Sequence, residues 1–73
     1  MENLKRLINI VLENRNRKPI EHLHSSMELR NDLGFDSLDL AELTVRIESE
    51  YSIDIFDDGI VSTVGEIWSK IQR

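Results

Sequence analysis

A chain of 73 residues, 40% hydrophobic and 32% charged, has room for one domain spanning 1–73 with one modest core, and a domain this small buries only about 60% of its unfolded surface. It holds no cysteine, which excludes a disulfide framework or a zinc–thiolate site and leaves helix packing to hold the chain together. The net charge of −5 is uneven, with six Lys/Arg against four Asp/Glu in residues 1–31 and three against ten in residues 32–73; so acidic a half argues against nucleic acid and anionic membranes as partners.

That acidic surface either keeps the chain soluble or steers basic partner surfaces towards it. There is no long apolar run, and Met1-Glu-Asn-Leu-Lys-Arg6 does not open a secretory signal, so the expectation is a soluble, cytoplasmic protein without membrane insertion.

Along the chain, Leu4, Leu7, Ile8, Val11 and Leu12 recur at i, i+3, i+4, i+7 and i+8 and predict an amphipathic helix over residues 3–15. From Asn16 to Asp36 the periodicity fades and Pro19 punctuates, yet Ile20, Leu23, Met27, Leu29 and Leu33 persist. A structureless loop of that length is uncommon in a compact domain, so these apolar residues are expected to pack it down as an ordered crossover. Pro19, Gly34 and Gly59 mark turns, and no repeat or low-complexity tract is present.

A second helix is predicted from Asp36, a good N-cap, to about Tyr51, with Asp39 complementing its positive end. Leu40, Leu43, Ile47 and Tyr51 form a core stripe. Beside it runs a second set, Leu38, Ala41 and Val45, with Glu42 and Glu48 nearby. Two readings fit so apolar a helix: it is covered on two sides, or it shows an apolar strip framed by acid to a partner. After Ser52-Ile-Asp-Ile-Phe56, residues 57–62 are long enough for one short helical turn only. Thr63 and Glu66 then form a capping box ahead of Val64, Ile67, Trp68 and Ile71, which predicts a further long helix. The fold class is all-α: a small bundle of three longer helices and one short helix, with a long first crossover.

Several chemistries fail on spacing. Residues 54–65 begin like a calcium loop but place Phe56 third and Gly65 twelfth, where an acid is required. His22 and His24 stand in the crossover with no cysteine and only Glu21 and Glu28 nearby, and solvated or capping histidines are the expectation. Three scattered glycines make no phosphate-cradling loop. Ser37 lacks a histidine or lysine placed by local spacing to activate it, so no catalytic residue is assigned and the protein is not expected to be an enzyme.

What remains for Ser37, between Asp36 and Asp39 in Leu33-Gly-Phe-Asp-Ser-Leu-Asp-Leu-Ala-Glu-Leu43, is either a plain helix start or an attachment point. In the first turn a hydroxyl projects from the bundle end, and a phosphodiester on it would face unpaired backbone N–H groups and the positive helix end. The flanking acids would repel that phosphate and make better sense as a handle for a basic enzyme.

This stretch resembles the attachment motif of acyl carrier proteins, and the resemblance covers nearly the whole chain: Ile47-Glu-Ser-Glu-Tyr51, Ile53-Asp-Ile55 and Thr63-Val-Gly-Glu-Ile67 are similar to that family's later segments. It implies that a phosphopantetheinyl transferase joins 4′-phosphopantetheine covalently to Ser37 and that acyl groups ride on the terminal thiol. It also implies that Asp36, Leu38, Asp39, Ala41, Glu42, Val45 and Glu48 form the partner-recognition face, which turns the second stripe outward. Synthase, acyl-activating or acyl-transferring enzymes with basic docking surfaces are the implied partners, and the carrier is expected to act as a monomer. Leu43, Ile47, Ile60 and Trp68 would line any acyl cavity.

The sequence departs from the family pattern at Ser49, Arg46 and Phe56 and in the basic cluster Arg15, Arg17 and Lys18. These departures favour a dedicated lipid, polyketide or secondary-metabolite pathway over housekeeping fatty-acid synthesis. Two alternatives stand beside this reading: a peptidyl carrier, against which Phe35 precedes the Asp-Ser where glycine is usual, and an unmodified interaction module with the same fold.

Overall fold

The computed structural model describes residues 1–57 and 59–72. Three helices follow in chain order: α1 (Glu2–Asn14), α2 (Ser37–Tyr51) and α3 (Val64–Ile71). The fold is all-helical, and among the described residues the only extended pairing is an isolated antiparallel bridge between Glu28 and Thr63.

α1 forms on its apolar stripe: Leu4, Leu7, Ile8, Val11 and Leu12 are all buried. It ends in a left-handed residue, Asn16 at φ 57°. Asn16 N donates to Glu13 O at 3.0 Å and Arg17 N to Leu12 O at 2.9 Å, the paired bonds of a Schellman cap, in which asparagine tolerates positive φ better than most residues.

The crossover is ordered, as its apolar residues require. Leu29, Leu33 and Phe35 are buried, and Ile20, Leu23 and Met27 pack against the core. Asn9 on α1 pins the early part, its side-chain oxygen accepting from Ile20 N at 2.7 Å and its amide donating to Ile20 O at 3.1 Å. The later part is laced to the entry of α3 by Leu29 N to Ser62 O, Val64 N to Met27 O and Gly65 N to Ser25 O, at 2.9, 3.0 and 2.8 Å. These bonds satisfy backbone groups that burial would otherwise strand.

α2 buries Leu40, Leu43 and Ile47 against α1 and the rest of the core. α3 starts at the expected capping box: Glu66 N donates to Thr63 Oγ1 at 3.2 Å and Thr63 N to Glu66 Oε1 at 3.1 Å. Its Val64 and Ile67 are buried, while Trp68 and Ile71 pack at the core margin.

The short fourth helix expected over 57–62 is not formed by the described residues of that segment. A turn at Ile55–Asp57 takes its place, with Asp57 N bonded to Asp54 O at 3.3 Å and Gly59 N to Phe56 O at 3.2 Å. Asp58 lies outside the described residues. Gly59 at φ 126° has left helical space altogether, and Ile55 and Val61 anchor the segment by burial instead.

Candidate functional site

The approach to α2 is built by a glycine and a distant arginine. Gly34 has φ 69°, a conformation that a Cβ would strain, and Arg17 packs against it, with Nη1 donating to Gly34 O at 2.6 Å. The chain then extends through Asp36, whose φ of −102° and ψ of −174° suit an N-cap. Asp36 Oδ1 accepts from Asp39 N at 2.9 Å while Asp39 Oδ2 accepts from Asp36 N at 3.0 Å. This reciprocal box sets Ser37 as the first helical residue, exposed to solvent.

The Asp39 N–H lowers the Asp36 carboxyl below its ordinary value of 3.8, with smaller help from Arg15 and the Leu38 N–H against a burial effect of opposite sign. Of the first-turn N–H groups, that of Asp39 is therefore taken by the Asp36 carboxylate. A phosphodiester on Ser37 therefore meets fewer unpaired donors than helix geometry alone predicts, and it has room for a counter-charge from elsewhere in the fold.

Ser37 opens onto a groove of about 630 Å³ between α2 and the 54–61 segment. Leu40, Ala41 and Thr44 line one wall, and Phe56, Ile60 and Val61 the other. Asp54 and Arg30 add a carboxylate and a guanidinium. An exposed hydroxyl at the mouth of a mostly apolar trough suits a flexible arm tethered at Ser37, so the residues present fit the group that the motif implies.

Of the four residues expected to line an acyl cavity, only Ile60 lies on this groove, at 88% exposure. Leu43 and Ile47 are fully buried, on the side of α2 that belongs to the core, and Trp68 packs at the core margin. The core stripe and the groove wall are different faces of one helix, and spacing along α2 does not say which face a distant loop will cover.

Of the residues assigned to partner recognition, Asp36, Ala41 and Glu48 are exposed, and Leu38 and Val45 are 66% and 67% exposed. Asp39 departs from that assignment. Its side chain is buried, with Arg15 Nε 2.9 Å from Oδ1, so its carboxylate braces the fold and does not face a partner. Glu42 is half-buried and engaged twice, accepting from Asn14 Nδ2 at 2.8 Å and Arg46 Nε at 3.0 Å. The Asn14 bond first, and then Arg46, hold the Glu42 carboxyl below its usual range, against an opposing contribution from burial. Further along, Arg6 pairs with Glu50 at 3.0 Å.

The acidic face is thus partly neutralised from within. Arg15 and Arg17 stand out in the sequence as a basic cluster and Arg46 as an intrusion, but their partners are set by the fold. Asn14 and Arg30 carried no local signal at all. His22 and His24 remain exposed on the crossover.

A family described as "Phosphopantetheine attachment site" matches residues 5–68. The chain is similar to an acyl carrier protein of Phenylobacterium zucineum, 38% identical over 72 residues that cover 96% of this chain and 90% of the relative. It is 35% identical over 57 residues to acyl carrier protein 3 of Ralstonia nicotianae, covering 75% of this chain and 66% of that protein. An acyl carrier protein of Thermotoga maritima is 44% identical over 48 residues, covering 63% and 59%. The matched stretch therefore spans less than two thirds of the Ralstonia and Thermotoga relatives' own length. No solved structure matches the chain at a significant level.

Proposed function

Because this chain belongs to the phosphopantetheine-attachment family of acyl carrier proteins, carriers rather than catalysts, we propose that Ser37 bears the 4′-phosphopantetheine and that the protein delivers acyl groups as thioesters. The observation that carries this reading is an exposed Ser37 hydroxyl, fixed at the first position of α2 by a reciprocal Asp36–Asp39 cap, at the mouth of an apolar groove.

The division of labour follows from the chain's own groups. With no cysteine, the chain lacks a thiol, and the arm supplies one when bound. Asp36 holds the turn so that Ser37 Oγ projects away from the core. In attachment, Oγ bonds to the phosphorus of the pantetheine phosphate of coenzyme A, adenosine bisphosphate leaves, and a base on the transferase takes the hydroxyl proton. Leu38, Ala41 and Val45, flanked by Asp36 and Glu48, make the strip on which the transferase and the acyl-activating, acyl-transferring or synthase enzymes dock in the cytoplasm.

The pathway we propose is a dedicated one, for a lipid, polyketide or other secondary product. Arg46, Ser49 and Phe56 support it, and so do the ion pairs of Arg15 with Asp39 and Arg6 with Glu50, which bring positive charge from outside this recognition helix onto its carboxylates. A partner matched to it needs a weaker positive field.

Intact mass before and after incubation with coenzyme A, magnesium and a broad-specificity phosphopantetheinyl transferase tests the assignment. One added phosphopantetheine, abolished by Ser37→Ala, is the expected result. A folded protein left unmodified by several transferases would overturn it and leave the helix as an interaction surface alone.

A further inference from the structure

A phosphodiester on Ser37 brings a permanent negative charge into an acidic neighbourhood. Asp36 stands next to it, and its carboxylate takes the Asp39 N–H at 2.9 Å, one of the donors a helix start would otherwise offer an anion. Three other arginines are engaged elsewhere. Arg15 sits on Asp39, Arg17 on the Gly34 carbonyl and Arg46 on Glu42.

Arg30 is different. It is exposed on the crossover, lines the same groove as Ser37, and its guanidinium makes no hydrogen bond or ion pair among the described residues. Leu29, fully buried beside it, fixes the backbone: Leu29 N donates to Ser62 O at 2.9 Å, and Leu29 O accepts from Phe35 N at 2.9 Å. A long side chain thus rises from an anchored backbone into a trough whose other walls are mostly apolar. The planar fork of arginine matches two oxygens of a phosphate at once.

We propose that Arg30 binds the phosphodiester of the Ser37-linked arm, holding its first segment against the groove mouth and so setting the direction in which the arm leaves the protein. This rests on Ser37 being the attachment residue. Arg30 is a positioning residue here. It takes no part in attachment, and the transferase is expected to modify Arg30→Gln.

The test uses the intact protein in its apo, holo and loaded forms. Arg30 Nε–H chemical shifts are recorded for apo and holo protein, and phosphorus-31 transverse relaxation for holo wild type, Arg30→Gln and Arg30→Lys. The expected result is a clear Arg30 Nε–H shift on going from apo to holo, with at least a twofold slower phosphorus relaxation in Arg30→Gln and an intermediate value in Arg30→Lys. Arg30 is exposed, so the variants should fold, and superposable amide spectra verify this.

Unchanged Arg30 signals together with equal phosphorus relaxation in all three proteins would overturn the site. So would an Arg30 shift that appears only when the arm is loaded with malonyl and not with butyryl, since the guanidinium would then serve a cargo carboxylate. If Ser37 gains no mass in the first place, it is the carrier assignment that fails, and the mass spectrum shows this before any resonance is recorded.

Discussion

Arg15 Nε lies 2.9 Å from Asp39 Oδ1, joining the residue that caps α1 to the first turn of α2, with the Asp39 side chain 4% exposed and that of Arg15 37%. Asp39 Oδ1 accepts no hydrogen bond, so the guanidinium charge is what compensates its burial. The turn that presents Ser37 is thereby fastened to another helix as well as capped locally.

Arg15→Gln removes that charge and strands a buried carboxylate. Breaking a fully buried pair costs about 3–5 kcal/mol, and the exposure of Arg15 brings the expected loss down to about 1–2 kcal/mol. Thermal unfolding should show it as a fall of about 4–8 °C per kcal/mol for a domain of this size. An unchanged melting temperature would mean that water already compensates Asp39.

Acid should loosen the same turn. The Asp36 carboxyl is lowered from 3.8 chiefly by the Asp39 N–H. A depressed folded value means that the cap's contribution is fully present above the unfolded value and is lost as pH falls through the folded one. Melting temperatures measured from pH 6 to pH 2 should therefore fall below about pH 4, and fall less steeply in Asp36→Asn, which still caps but does not titrate. Identical acid limbs would assign the loss to other carboxylates.

On the docking face proposed above, the charges should not count equally. Glu42 is engaged by Asn14 and Arg46, whereas Glu48 is exposed. Glu42→Gln should change kcat/KM for transferase modification by less than about twofold. Glu48→Gln should lower it by about two- to fivefold at low salt, fading as salt rises. Leu38→Ala and Val45→Ala should each cost about tenfold, the equivalent of about 1.4 kcal/mol of binding. A larger loss from Glu42→Gln than from Leu38→Ala would make the surface electrostatic after all.

Leu43 and Ile60 separate core from groove. Leu43→Ala, at a fully buried position, should destabilise by about 2–5 kcal/mol in urea unfolding. Ile60→Ala, at 88% exposure, should stay within about 0.5 kcal/mol. An Ile60→Ala loss comparable with that of Leu43→Ala would show that the groove closes in solution.

Much of this was legible in the residues. The 3.6-residue periodicity of Leu4 to Leu12 and of Leu40 to Ile47 marked two helices, and Thr63 with Glu66 marked the start of a third, because each signal lies within one or two turns of chain. Asp36 was legible as a cap for the same reason. Its reciprocal bond with Asp39 was not, because Asp39 was read from its place on the helix face and not from what lies above it.

The chain alone determined an all-helical carrier fold and singled out Ser37, since helix stripes, caps and an attachment motif are written in neighbouring residues. Tertiary structure decided which carboxylates face solvent, which wall the groove uses and where Arg30 stands. Those facts depend on contacts such as Asn14 with Glu42 and Arg15 with Asp39, made between residues far apart in sequence whose meeting is set by how α1 and the crossover pack on α2, and no local pattern encodes it.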